Sequence, residues 1–86
     1  MPVTVRFFAS ARSAAGVGEE RHEAADVAAL LAAVLAARGE AGAALGRVLA
    51  VSTLLVDGAP VGTRARAGVP LRGGEVVEVL PPFAGG

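Results

Sequence analysis

Two short runs near the ends of the chain alternate between apolar and polar residues. In the run from residue 2 to residue 8, one face carries Val3, Val5 and Phe7, and the other carries Thr4, Arg6 and Phe8. In the run from residue 75 to residue 80, Val77 and Val79 share one face, and Val76, Glu78 and Leu80 share the other. A period of two is typical of half-buried β-strands. Each strand therefore ends with a large apolar residue, Phe8 or Leu80, on the face turned away from the core.

The strongest helical pattern runs from Val27 to about Arg38. Its apolar residues recur at intervals of three and four and form one stripe, Val27, Leu30, Leu31, Val34 and Leu35. Asp26 is a good N-cap, and Gly39 suits the position after the last turn. The opposite side is mostly alanine, so the pattern favours a core helix that packs on a sheet over a membrane-surface helix.

Shorter elements are predicted between the first strand and this helix. Residues 9–15 are rich in alanine and predict one or two helical turns that begin at Ser10, and residues 16–18 form a glycine loop. Residues 19–23 are polar and predict a weak edge strand. His22, the only histidine, is expected to be a solvated residue of that edge, because no second ligand type clusters near it.

After the helix, residues 40–49 contain two glycines and predict a loop with a short helical turn. Residues 52–56 predict a strand, and Asp57-Gly58 predicts a reverse turn into a short segment around Val61. Arg64 and Arg66 are expected to form a solvated rim. The order of the predicted strands and helices along the chain predicts an α+β domain, with a mixed sheet of four to five strands and one main helix packed on one face.

Composition narrows the possible chemistry. The 86 residues suffice for one small domain, and their formal net charge of zero gives no indication of a nucleic-acid or membrane partner. Without cysteine there is no disulfide, thiolate metal site or cysteine nucleophile, and we expect no bound metal. All eight basic residues are arginine, which excludes lysine chemistry. No apolar run approaches 18 residues, so a cytoplasmic protein is expected.

The last six residues look like a tail on a globular domain. Pro81-Pro82 must stop the final strand at Leu80, since proline has no N–H to donate, so the predicted division is a domain of residues 1–80 and a tail of residues 81–86. The proline pair favours an extended exit, Phe83 can fill a pocket, and Ala84-Gly85-Gly86 can enter a narrow channel that reaches the terminal carboxylate. Fully extended, this tail spans about 20 Å. A Gly-Gly end alone could equally be a frayed terminus.

Residues 5–12 and 74–86 together resemble the ubiquitin-like sulfur-carrier family, and within it the small subunits of molybdopterin synthase. The resemblance implies a β-grasp fold whose first and last strands lie side by side, with Phe8, Arg12 and Leu80 on the partner-binding surface. It further implies that an E1-like adenylyltransferase uses ATP to adenylate Gly86, and that a persulfide-bearing donor converts the adenylate into a thiocarboxylate. The chain itself would bind no cofactor and would be a sulfur-donating cosubstrate, with catalytic side chains supplied by the large synthase subunit.

Two departures from the family pattern leave the acceptor open. Leu80 stands where the synthase subunit usually has an aromatic residue, and the segment from residue 62 to residue 69 is longer. The alternatives are a sulfur carrier for thiamine, cysteine or tRNA thiolation, a ubiquitin-like modifier that forms isopeptide bonds through Gly86, and a binding module with an inert tail.

Overall fold

A computed structural model describes residues 1–82 of the chain. The described elements follow in this order: β1 (Val3–Phe7), α1 (Ala9–Ala15), β2 (Glu19–His22), α2 (Val27–Ala36), a 3₁₀ turn (Gly39–Gly42), α3 (Ala43–Val51), β3 (Thr53–Val56), β4 (Ala59–Pro60), a second 3₁₀ turn (Arg66–Gly68) and β5 (Val76–Leu80). Within residues 1–82, no helix is both long and apolar enough to cross a membrane.

The five strands form one mixed sheet in the order β2-β1-β5-β3-β4. The first and last strands of the chain are parallel neighbours at its centre, in a register that pairs Val5 with Val77 and Phe7 with Val79. The remaining pairs are antiparallel. Because β1 and β5 run in the same direction, their carboxyl ends meet at one edge of the domain. The α+β prediction and the adjacent terminal strands are confirmed.

One face of the sheet packs against the helices and forms the core. The buried strand residues are Val3, Val5, Phe7, Leu54, Val77 and Val79, and the buried helical residues are Ala11, Val27, Leu30, Leu31, Val34, Leu45 and Leu49. The predicted inward faces of β1 and β5 are therefore confirmed. Helix α2 begins after Asp26, whose Oδ1 accepts a hydrogen bond of 2.7 Å from the Ala29 amide, as the N-cap prediction requires. The helix ends at Ala36, two residues before the predicted end.

The predicted loop over residues 40–49 is wrong, because most of this segment is helical. Its two glycines do not prevent helix formation, and Gly42 allows close packing. A Cβ added to Gly42 would lie 3.2 Å from the Leu35 carbonyl oxygen, and one added to Gly46 would lie 3.8 Å from the Leu35 side chain. Gly42 thus lets the start of α3 approach the end of α2, whereas a side chain at Gly46 would make only an ordinary contact. Leu45 and Leu49 point into the core.

Two predictions about polar residues also need correction. His22 lies on the edge strand as expected, but its side chain is only 20 % exposed and its Nε2 lies 2.6 Å from Oε2 of Glu20. Arg66 is half-buried, because its guanidinium donates a hydrogen bond of 2.9 Å to the Leu49 carbonyl. Arg64 is exposed, as predicted.

Candidate functional site

The carboxyl ends of β1 and β5 bring Phe8 and Leu80 together. The Phe8 amide donates a hydrogen bond of 3.3 Å to the carbonyl of Val79, the residue before Leu80. On the other side of β5, Leu80 pairs in register with Thr53 of β3. Phe8 and Leu80 are both at least partly exposed, so they present apolar surface where the chain leaves the domain.

A groove of about 510 Å³ opens at this point, and we call it the exit groove. It is lined by Phe8, Ala9, Ser10, Thr53, Leu80, Pro81 and Pro82. Pro81 is half-buried and Pro82 is exposed, so the proline pair forms part of the groove wall. The only polar side chains in this lining are the hydroxyls of Ser10 and Thr53. The exit groove is therefore suited to apolar contact, and these lining residues supply no acid, base or charged nucleophile.

A second groove of similar volume lies on the other side of Phe8, and we call it the charged groove. Its lining consists of Arg6, Phe7, Phe8, Ala9, Arg12, Gly18 and Glu19. Nε of Arg6 lies 3.7 Å from Oε1 of Glu19, which partly neutralises both charges. Arg12 packs over Gly18, where an added Cβ would lie 3.3 Å from its Cζ. Within residues 1–82 the Arg12 guanidinium has no hydrogen-bond or ion-pair partner, so its charge is available to a bound molecule.

Phe8 and Ala9 line both grooves and form the ridge between them. The predicted helix start at Ser10 is wrong, because α1 begins at Ala9 with Phe8 at the N-cap position. The Phe8 carbonyl accepts hydrogen bonds from the amides of Ala11 (3.0 Å) and Arg12 (3.4 Å), so the helix starts at the residue directly after β1. Ala9 has a φ of +50°, in the left-handed region.

The side chain of Arg38 joins three elements near Phe7, namely α1, α2 and β2. Its guanidinium donates to the Ala15 carbonyl at the end of α1, to the Val34 carbonyl in α2 and to the Glu20 carboxylate in β2. It also lies 5.7 Å from the centre of the Phe7 ring. The hydrogen bond from Arg38 lowers the pKa of Glu20, with a smaller contribution from His22, and the pairing raises the pKa of Arg38.

The role of Arg38 does not follow from the sequence pattern. One signal was available, since Arg38 is the only charged residue in the predicted helix of residues 27–38. Two of its partners, Glu20 and Ala15, lie 18 and 23 residues away in sequence, so only the folded chain shows them.

The predicted tail residues Phe83, Ala84, Gly85 and Gly86 lie outside the described residues. Pro81, Pro82, Phe8, Arg12 and Leu80 lie inside, and each lines at least one of the two grooves. Among residues 1–82 there is no group of three or more acidic or histidine side chains that could hold a metal ion. The described part of the site thus consists of two grooves around the point where the tail begins.

A family model described as the ThiS family matches residues 5–86. One chain of a protein–protein complex of subunits 1 and 2 of the molybdopterin-converting factor from Helicobacter pylori is similar, with 27% identity, a TM-score of 0.67 and full coverage of both chains. Small archaeal modifier protein 1 from Methanosarcina acetivorans has a TM-score of 0.80 at 22% identity and covers 99% of this chain and 96% of its own. The same modifier from Haloferax volcanii has a TM-score of 0.78 at 24% identity, with both chains fully covered.

No curated protein matches this sequence significantly. The two modifiers are too distant in sequence to carry more than the fold. Together with the strand order, these likenesses confirm the β-grasp fold that the resemblance implied.

Proposed function

The chain belongs to the ThiS family, and from this premise we propose that it is a sulfur carrier that serves as the small subunit of molybdopterin synthase. In this proposal the Gly86 carboxylate becomes a thiocarboxylate and gives its sulfur to a pterin precursor. The observation that carries the proposal is the family match, which extends through Gly85 and Gly86 to residue 86. The similarity over full length to a chain of a two-subunit molybdopterin-converting factor supports this choice of acceptor.

The composition of the tail supports the proposed chemistry. Gly85 and Gly86 have no side chains, so an active site can close around the backbone and leave both faces of the last carbonyl open. Without cysteine the chain has no thiol to carry sulfur, and in this proposal the terminal carboxylate carries it. We therefore assign the reacting atoms to Gly86. The two grooves are assigned to recognition of the partner.

With a persulfide as sulfur donor, the proposed activation has three steps. In an E1-like adenylyltransferase, a Gly86 carboxylate oxygen attacks the α-phosphorus of ATP, which forms the acyl adenylate and releases pyrophosphate. The terminal sulfur of a persulfide then displaces AMP and leaves an acyl disulfide, which a thiol reduces to the thiocarboxylate. Hydrosulfide gives the same product directly, with AMP as the leaving group. ATP is a substrate of the activating enzyme, and we assign no resident cofactor to this chain.

The two grooves suit a partner that covers the tail exit. Apolar residues of the partner would bury Phe8 and Leu80, and an acidic group would pair with Arg12. The large synthase subunit is the proposed partner at the sulfur-transfer step, because the H. pylori structure is a complex of subunits 1 and 2 of a molybdopterin-converting factor. The large subunit would supply the catalytic side chains.

The acceptor can be tested with the thiocarboxylated protein. It is mixed with the large subunit and the pterin precursor, and intact mass is followed over time. We expect the thiocarboxylate to return to the carboxylate only when both are present, with formation of a sulfur-containing pterin. A thiocarboxylate that survives this mixture, but is consumed by enzymes of thiamine, cysteine or tRNA thiolation, would assign the carrier to one of those routes. Isopeptide conjugates on target lysines would instead identify a protein modifier.

A further inference from the structure

Only two non-glycine residues of the described chain have a left-handed backbone, Ala9 with φ +50° and Asp57 with φ +48°. Asp57 is followed by Gly58 with φ +83° in the turn between β3 and β4. Two successive left-handed residues are what a tight hairpin turn of type I′ requires, so the conformation of Asp57 follows from the hairpin. Ala9 is the first residue of α1 and follows the extended Phe8, so no hairpin accounts for its strain.

The backbone on both sides of Ala9 is fixed by hydrogen bonds. The amide of Phe8 is bound to Val79 in β5, and its carbonyl accepts from Ala11 and Arg12 in the first turn of α1. Phe8 itself is extended, with φ −120° and ψ 152°. The change from extended to helical backbone therefore falls on Ala9 alone.

This abrupt change determines which side chains face outward. Phe7 and Ala11 are 2 % and 0 % exposed, whereas Phe8 between them is 38 % exposed. The chain thus turns back into the core within a few residues and leaves Phe8 outside, on the ridge between the exit groove and the charged groove. A partner that fills both grooves must contact Phe8 on two sides, so the orientation of this ring decides how well the partner fits.

We propose that Ala9 is a positioning residue, which holds Phe8 in its docking orientation before a partner arrives. Glycine would adopt the same backbone without strain, so a requirement for the turn alone would favour glycine at this position. The methyl group of alanine removes most of the backbone freedom that glycine would keep. A preset ridge loses less entropy on binding, which strengthens the complex. The choice of partner in this inference rests on the proposed function.

Ala9→Gly tests the inference, because it relieves strain and adds mobility at the same place. We expect unchanged or higher thermal stability, faster hydrogen exchange of the Phe8 and Arg12 amides, and affinity for the large synthase subunit and for the E1-like enzyme that is weaker by about two- to fivefold. Opposite effects on stability and affinity would not arise from a residue that only supports the fold.

Two further variants distinguish backbone mobility at position 9 from other causes of weaker binding. Ala9→Ser keeps a Cβ and the restricted backbone, and we expect near wild-type affinity. Gly58→Ala introduces strain at φ +83° in open space, away from both grooves, and we expect lower stability with unchanged affinity. Unchanged affinity of Ala9→Gly for partners that bind the wild type would overturn the inference.

The amide exchange rates test this inference without a partner, so its failure can be distinguished from failure of the proposed function. If the wild type binds neither partner, the proposed function fails, but exchange at Phe8 and Arg12 still reports on the ridge. Faster exchange in Ala9→Gly than in Ala9→Ser would support the preset ridge, and equal exchange in the two variants would overturn it.

Discussion

Replacing Phe8 by alanine should weaken partner binding by an amount that the structure allows us to work out. The residue is 38 % exposed in the free protein. An aromatic side chain has roughly 150–250 Å² of surface, so about 60–95 Å² remains for a partner to cover. At about 25 cal/mol per Å², that surface contributes about 1.5–2.4 kcal/mol. We therefore expect the dissociation constant to rise about 10- to 60-fold.

Titration calorimetry with the large synthase subunit, and separately with the E1-like enzyme, measures this effect. Circular dichroism should show that the Phe8→Ala variant remains folded at the titration temperature. Val51→Ala is the matched control, since Val51 is 65 % exposed but lines neither groove, and its affinity should equal that of the wild type. If Phe8→Ala and Val51→Ala bind equally well, the assignment of the ridge to docking is wrong.

Three further predictions concern Leu80 in the exit groove and the contacts between Arg38 and Glu20. Leu80→Ala should weaken binding of the same partners by about 2 kcal/mol in the same titrations. Arg38→Ala should lower the free energy of unfolding by about 3 kcal/mol, because it leaves a mostly sheltered Glu20 carboxylate and the Ala15 and Val34 carbonyls without their donor. Urea unfolding measures this loss, and a comparable loss in the control Arg47→Ala, which changes an exposed side chain, would contradict it. Because the pKa of Glu20 is lowered in the folded protein, the paired carboxylate stabilises the fold at pH values above its unfolded pKa of about 4.5. The free energy of unfolding should therefore fall as the pH drops from there toward the lower folded pKa. The fall should be less steep in Glu20→Gln.

The sequence predicted the parts of the fold that depend on local patterns. Alternation defined β1 and β5, and the apolar stripe after Asp26 defined α2, because burial on one face leaves a regular trace in the chain. The meeting of Phe8 with Leu80 followed from the family resemblance, since the pattern alone does not say which strands are neighbours.

The features that were missed depend on contacts between distant residues. The sequence pattern predicts a loop at Gly42 and Gly46, whereas both lie in helical segments and Gly42 allows α3 to approach Leu35 closely. The burial of His22 and the role of Arg38 both depend on Glu20, which is a neighbour of Arg38 only after β2 has joined the sheet. The strain at Ala9 has no local signal, because alanine is typical of an ordinary helix start.

The most direct test of the account is the intact mass of the protein after incubation with ATP, the E1-like enzyme and hydrosulfide. We expect the mass to increase by the difference between one sulfur and one oxygen, with the change located on Gly86 by fragmentation. A variant that carries one extra residue after Gly86 should show no such change. No gain of sulfur by the wild type, in the presence of an activating enzyme that is competent on another carrier, would contradict the central claim.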